Sequence, residues 1–416
     1  MESFVYRRGQ LYVEDIALPS VAARYGTPCY VYSRKTIEEN WTKYDRAFSA
    51  QPHLICYAVK ANSNLAVIDL LARLGSGFDV VSLGELERVL SARGDPSKLV
   101  FAGVAKREDE MRRALAVGIR SFNVESQPEL ERLNTVAGSV GRRAPVSLRV
   151  NPDVDANTHP YISTGLKTNK FGIDISAALS VYRAAVSMPH IEIVGVGYHI
   201  GSQILETGPL VDAVSRVLAL AGELESAGIG IRQVDVGGGL GIRYRDESPP
   251  EPEQLARAIL PLLAGRNYQV VLEPGRSIVG NAGVLLTRVE YIKHTKEKSF
   301  AIVDAAMNDL FRPALYDAWH EIVPTEQHAS RVVGTYDVVG PVCETSDFLG
   351  KGRSLAVQAG DLLAVCSAGA YGSAMSSTYN SRPSAAEVMV DGDAMYAIRK
   401  RGSVQDLMGS ESILPD

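Results

Sequence analysis

Apolar positions along the chain change their period twice. Between about residue 35 and residue 278, short β-leaning apolar runs alternate with stretches whose apolar residues recur every three to four positions. The strand-like runs are 53–60, 77–82, 98–103, 121–125, 146–151, 193–200, 233–237 and 269–273. Helical spacing separates them, as at Leu65, Ile68, Leu71 and Leu74, or at Leu83, Leu86 and Leu90. Eight strands alternating with helices over about 240 residues predict a closed (β/α)8 barrel of the TIM type, with an open doubly wound sheet as the alternative.

On either side the helical alternation is missing. Phe4-Val5-Tyr6, Leu11-Tyr12-Val13 and Pro28-Cys29-Tyr30-Val31-Tyr32 read as strands without a long helix between them. After about residue 280, Val284-Leu285-Leu286, Phe300-Ala301-Ile302-Val303, Tyr336-Asp337-Val338-Val339, Leu362-Leu363-Ala364-Val365 and Glu387-Val388-Met389-Val390 read as strands between Gly- and Asp-containing turns. The expected architecture is therefore α/β plus β. A barrel over 35–278 is joined to a β-sandwich or β-barrel-like domain built from 279–416 and the N-terminal strands of 1–34. The charge runs at 106–113 and 399–401 are expected to be solvated faces.

Composition narrows the function without naming it. The chain has 416 residues, 46% hydrophobic and 22% charged, with a net charge of -5. Such a balance argues against nucleic acid as a partner. No apolar run approaches the roughly 20 residues of a membrane span. The stretch Met1-Glu2-Ser3-Phe4-Val5-Tyr6-Arg7-Arg8 lacks the apolar core of a signal peptide. Cys29, Cys56, Cys343 and Cys366 are widely spaced, which fits a reducing, cytoplasmic setting.

The chemistry-bearing residues fall at the C-terminal ends of the predicted strands, where α/β barrels place their active sites. These ends carry Lys60, Asp79 with Ser82, Glu125, Arg149 with Asn151, His199 with Ser202, Gly237-Gly238-Gly239, and Glu273 with Arg276. Lys60 closes an apolar run, so it reads either as a desolvated, nucleophilic amine suited to a Schiff base or as a lysine that snorkels outward. Gly237-Gly238-Gly239-Leu240-Gly241 and Pro274-Gly275-Arg276-Ser277 follow the seventh and eighth strands, the usual phosphate cradle of this fold. A reactive lysine, a phosphate cradle and a carboxylate on one rim point to pyridoxal 5′-phosphate, with Glu273 able to hold the pyridine nitrogen protonated. His199 can stack on such a ring, or can simply bond to backbone. No HExxH or paired His/Cys spacing supports a metal site.

Taken together, these motifs resemble those of the diaminopimelate decarboxylase family, barrel-type (fold-type III) pyridoxal-phosphate enzymes, over nearly the whole chain. The matching stretches begin with Tyr57-Ala58-Val59-Lys60-Ala61-Asn62, Arg149-Val150-Asn151-Pro152-Asp153-Val154-Asp155 and His199-Ile200-Gly201-Ser202-Gln203. They continue with Glu273-Pro274-Gly275-Arg276, Met307-Asn308-Asp309-Leu310-Phe311-Arg312-Pro313-Ala314-Leu315-Tyr316, Cys343-Glu344 and Gly369-Ala370-Tyr371-Gly372. The resemblance implies that Lys60 binds the cofactor aldehyde and His199 stacks on its ring. It also implies that Ser202, Gly238, Gly239, Gly275 and Arg276 hold the phosphate, that Glu273 meets the pyridine nitrogen, and that Tyr371 contacts cofactor and substrate. Arg276, Arg312, Tyr316 and Glu344 would clamp the substrate, and Cys343 would donate the proton. A homodimer with shared active sites is implied as well, Cys343 and Glu344 entering from the partner.

The expected reaction is decarboxylation of meso-2,6-diaminopimelate to L-lysine. Decarboxylation of ornithine, arginine or a carboxylated polyamine such as carboxynorspermidine is the near alternative. Those substrates lack the distal carboxylate that a pair of arginines would hold. A non-enzymatic pyridoxal-phosphate carrier or inactive regulatory homologue is the alternative of a different class; a carrier could consist of the barrel alone, and an inactive homologue would be expected to lack Lys60 or Cys343. One departure is visible, since Thr345-Ser346 stands where the family pattern has Ser/Thr-Gly.

Overall fold

A computed structural model describes residues 4–155 and 169–415, so the reading of Met1, Glu2 and Ser3 lies outside the described residues. The chain divides into two compact units. One holds Asn40–Ile242 and Ser248–Ser277; the other holds the chain up to Glu39, Arg243–Glu247 and everything from Ile278.

The first unit contains the barrel. Its strands are His53–Ala58, Gly77–Val80, Leu99–Phe101, Ser121–Val124, Ala144–Asn151, Ile191–Gly197, Gln233–Asp235 and Gln269–Leu272. Each pairs in parallel with the next, and the last pairs with the first, so the sheet closes. Most strands stop one to three residues before the sequence pattern does. The first ends at Ala58 and hands over to the 3-10 turn Val59–Ala61, which places Lys60 on a loop rather than on the strand. Helix starts follow from polar residues at the strand exits. The side chain of Asn64 accepts from the Ala66 N–H to open Leu65–Arg73, and Ser82 accepts from the Glu85 N–H to open Leu83–Ser91. The apolar stripe Val67, Ile68, Leu70 and Leu71 is then buried.

In the second unit, Gly283–His294 is the organising strand. It pairs antiparallel with Cys29–Ser33, Ser299–Val303 and Leu362–Val365. Cys29–Ser33 also pairs in parallel with Ala386–Asp391, which explains why all five of its residues are buried. Phe4–Arg7, Gln10–Val13 and Ile16–Ala17 form a separate three-stranded sheet. Its Phe4, Leu11 and Val13 share a core with Val31, Val284, Leu286 and Val388. The N-terminal strands thus belong to the β architecture, as expected, although the eight-residue helix Leu18–Tyr25 intervenes. Phe348–Leu355 and Ala394–Arg399 are strands that the pattern did not announce; glycine and charge dilute the first.

Both charge runs are only partly solvated. Arg399 lies in a strand with its Nε 2.6 Å from the buried Glu387 carboxylate. The Lys106 side chain is 1% exposed and donates to Glu129 Oε1, Gly103 O and Asn123 O, each at 2.7 Å. It ties the loop after the third barrel strand to the fourth. A buried ammonium persists only when so paired, and removing one partner strands the other. Lys106→Met should therefore cost about 3–5 kcal/mol in denaturant unfolding. A double Lys106→Met/Glu129→Gln variant should recover part of that loss. A single-variant cost within experimental error would refute this assignment.

Candidate active site

The polar ends of the barrel strands converge on one rim. Lys60 Nζ donates to Asp79 Oδ2 at 2.6 Å, and Asp79 is fully buried. The lysine side chain is 40% exposed, and the buried Asp79 carboxylate places its amine. Asp79 Oδ1 has no hydrogen-bond partner among the described residues and is left as an acceptor inside the mouth.

Gly237-Gly238-Gly239 lies against this floor. A Cβ on Gly238 would sit 2.2 Å from the Glu273 carbonyl oxygen, and Gly239 has φ +117° with its Cβ position 2.6 Å from Gly201 O. Only glycine fits there, and the bare backbone is what a bound anion requires. The Gly238 N–H makes a long 3.4 Å contact with His199 Nδ1. Burial first, then the charges of Arg149 and Lys60, push the His199 imidazole well below its usual range, so it is neutral at neutral pH. Arg276 is 6% exposed and grips Ser202 Oγ through Nε at 3.3 Å and Nη2 at 3.0 Å. Gly275 sits where a Cβ would press on the Cβ atoms of Ala58 and Ala61, 3.0 Å away. Lys60, His199, Ser202, Gly238, Gly239, Glu273, Gly275 and Arg276 therefore gather within one unit.

Glu273 follows the eighth strand, and two strand residues missed as site candidates surround it. Asn123 Nδ2 donates to Asp235 Oδ2 at 2.9 Å and to Glu273 Oε1 at 3.3 Å. Burial and the neighbouring Asp235 and Asp79 push the Glu273 carboxyl well above its ordinary value. Burial likewise pushes Asp235 up to about 6. Arg149 is held by Glu125 Oε1 at 2.8 Å, and its guanidinium lies 4.8 Å from the Phe171 ring centre.

The remaining candidates lie in the second unit. Arg312 opens the short helix Arg312–Tyr316, which places Tyr316 at its last position. Arg312 is 7% exposed, donates from Nη1 to His320 Nε2 at 3.1 Å, and lies 4.5 Å from the Tyr244 ring centre. Because His320 Nδ1 faces the Cys366 carbonyl at 2.8 Å, the ring proton sits on Nδ1 and Nε2 accepts. His320 and Tyr244 carried no signal in sequence. Cys343 is an exposed free thiol whose backbone N–H donates to Asn380 Oδ1 at 3.3 Å. Glu344 accepts from the Tyr379 hydroxyl at 2.5 Å. Tyr371 has φ 55°. Thr345 and Ser346 are not among the residues of positive φ, so the missing glycine leaves no strain there.

A closed parallel barrel with a lysine, a glycine cradle and a carboxyl on one rim defines the cofactor half of a barrel-type pyridoxal enzyme. Residues 34–280 match the family model for the pyridoxal binding domain of pyridoxal-dependent decarboxylases. The chain is 60% identical over 417 residues to diaminopimelate decarboxylase of Pseudomonas aeruginosa, and 59% identical over 418 residues to that of Vibrio cholerae serotype O1. Both alignments cover 100% of this chain and 100% of the relative. Among solved structures, diaminopimelate decarboxylase from Helicobacter pylori complexed with L-lysine is similar with a TM-score of 0.92 and 44% identity, covering 95% of this chain and 99% of that one. The chain belongs to the pyridoxal-dependent decarboxylases, and within them to the diaminopimelate decarboxylase family. The residues present fit pyridoxal 5′-phosphate: an amine aimed by Asp79, a cradle that no Cβ can enter, a neutral imidazole and a proton-retaining carboxyl.

The raised carboxyls set a pH dependence. The folded, cofactor-free chain keeps protons on Asp235 and Glu273 that the unfolded chain releases from about pH 4 upward. This contribution to stability is complete below the unfolded values and is lost as pH rises through about 6 and beyond. Thermal melts of the cofactor-free protein should show Glu273→Gln losing less stability between mildly acidic and mildly alkaline pH than the parent. Parallel pH profiles would contradict the assignment.

Proposed function

We propose that this chain decarboxylates meso-2,6-diaminopimelate to L-lysine and CO2, the last step of lysine biosynthesis, with pyridoxal 5′-phosphate as cofactor. The observation that carries this reading is end-to-end identity near 60% with diaminopimelate decarboxylases, joined to the cradle and lysine on the barrel rim. When bound, the cofactor supplies an aldehyde for an amine and an electron sink for the carbon that loses CO2. Lys60 supplies the resident amine. Ser202, Gly238, Gly239 and the backbone of the Gly275-Arg276 turn would hold the phosphate, and Glu273 would meet the ring nitrogen. A neutral His199 stacks on the ring without adding positive charge.

Arg276 and Arg312 take the distal carboxylate in the planar, two-pronged manner of guanidinium groups. Glu344, aimed by Tyr379, takes the distal ammonium, while Tyr316 and Tyr371 line the substrate. As the bond to the carboxyl carbon breaks, its electrons stay on the α-carbon; a proton from the Cys343 thiol then forms the new C–H bond and solvent restores the thiol. We further propose that 35–278 works as the cofactor-binding part, and that 1–34 with 279–416 contributes the substrate and interface residues. The proposed working form is a cytoplasmic homodimer whose partner supplies Cys343 and Glu344. No helix among the described residues is long and apolar enough to cross a membrane.

Purified protein with cofactor should release CO2 from diaminopimelate and form lysine. Release from ornithine or arginine but none from diaminopimelate would reverse the substrate assignment. Lys60→Ala should abolish the visible absorption of the lysine-bound cofactor. Cys343→Ala should lower turnover by roughly 100-fold or more, the range of a lost general acid, with that absorption intact. Unchanged turnover would remove Cys343 from the mechanism.

A further inference from the structure

Three carboxyl groups crowd the mouth of the barrel. Asp79, Asp235 and Glu273 come from the ends of the second, seventh and eighth strands, and Lys60 is engaged with Asp79 at 2.6 Å. Asp235 is 1% exposed. Its Oδ1 accepts the Gly237 N–H at 2.9 Å, while its Oδ2 shares the Asn123 amide with Glu273 Oε1. The reverse amide orientation would aim the Asn123 oxygen at two carboxyl groups, so the donor side must face them. Asn123 Oδ1 correspondingly has no partner among the described residues. One NH2 group bonded to two carboxyl groups holds them within a few ångströms of each other, out of water, where two full negative charges repel strongly.

We propose that Asp235 and Glu273 share a single proton, and that Asp235 is the positioning residue that raises the proton affinity of Glu273. The groups facing the pair are Asp79 and Asn123, Lys60, Cys56 on the first strand, and Arg120 at the start of the fourth. Arg149 is matched by Glu125, and Lys60 by Asp79. Sharing one amide donor out of water, the two carboxyl groups repel, and a proton held between them relieves that repulsion. The upward pressure on both carboxyls agrees with this. A carboxyl of raised proton affinity is the stronger hydrogen-bond partner for a ring N–H. That use rests on the reading of Glu273 as the ring-nitrogen partner; the shared proton itself does not.

The test is infrared difference spectroscopy on the cofactor-free chain near neutral pH. Glu273→Gln should remove one carboxylic-acid carbonyl component, and Asp235→Asn should remove the same component. Glu85, Glu129 and Asp309, whose carboxyls are also pushed up, contribute components that neither substitution removes. Persistence of the Glu273 component in Asp235→Asn, or its absence from the parent, overturns the proposal. Should Asp235→Asn fail to fold, the parent-minus-Glu273→Gln spectrum is repeated with 13C-labelled aspartate. Sensitivity to that label supports the shared proton, and sensitivity to labelled glutamate alone overturns it. Because the readout needs neither cofactor nor turnover, a chain that keeps the component but does not decarboxylate diaminopimelate supports the pair and refutes only the functional reading.

Discussion

Carboxyl groups crowded where water cannot solvate them must be balanced by neighbouring donors, cations or protons, and the barrel mouth is organised around that requirement. Lys60 takes Asp79; Asn123 and the Gly237 N–H take Asp235 and Glu273. The same cations that steady the carboxyls, Lys60 and Arg149, help keep His199 uncharged. One electrostatic constraint thus links the charge states of an imidazole and a carboxyl.

Backbone geometry does the other half of the work. At Gly238 the chain passes so close to the Glu273 carbonyl that no side chain can intervene, and the Glu273 N–H bonds to Gly237 O at 2.8 Å. The glycine loop and the carboxyl are therefore placed by one another. The ends of two adjacent strands are thereby locked together, which is the pre-organisation that ligand sites on barrels rely on.

How legible this was in the sequence differs residue by residue. Lys60, the glycines and Glu273 stood out because strand ends interrupt apolar runs, and an interruption is visible locally. Asp235 and Asn123 lie inside strands, where a lone polar residue looks like ordinary alternation; only barrel closure shows that they meet. His320 and Tyr244 are far apart in sequence, and their joint hold on Arg312 is a tertiary fact. Lys106 was misread for the opposite reason. A run of charges shows solvation only on average, while its partner Glu129 sits on the next helix and dries out one member of the run. Phe348–Leu355 and Ala394–Arg399, which the pattern did not announce, owe their pairing to neighbours more than to their own composition.

The Thr345-Ser346 departure shows how a lost glycine can be made harmless. Glycine is needed where φ is positive or where backbones touch, and neither residue is forced to positive φ here. Instead the loop is pinned from its far end. The buried Asp347 accepts the Met307 N–H through one oxygen and the Val342 N–H through the other, each at 2.7 Å. Asn380 and Tyr379 then fix the Cys343 backbone and the Glu344 carboxylate from outside. A carboxylate that binds two backbone donors supplies through hydrogen bonds the order that a tight glycine turn would supply through permissive φ. The Cys343 backbone and the Glu344 carboxylate are thus held by Asn380 and Tyr379, and the loop that carries them by Asp347, with no positive φ at Thr345 or Ser346.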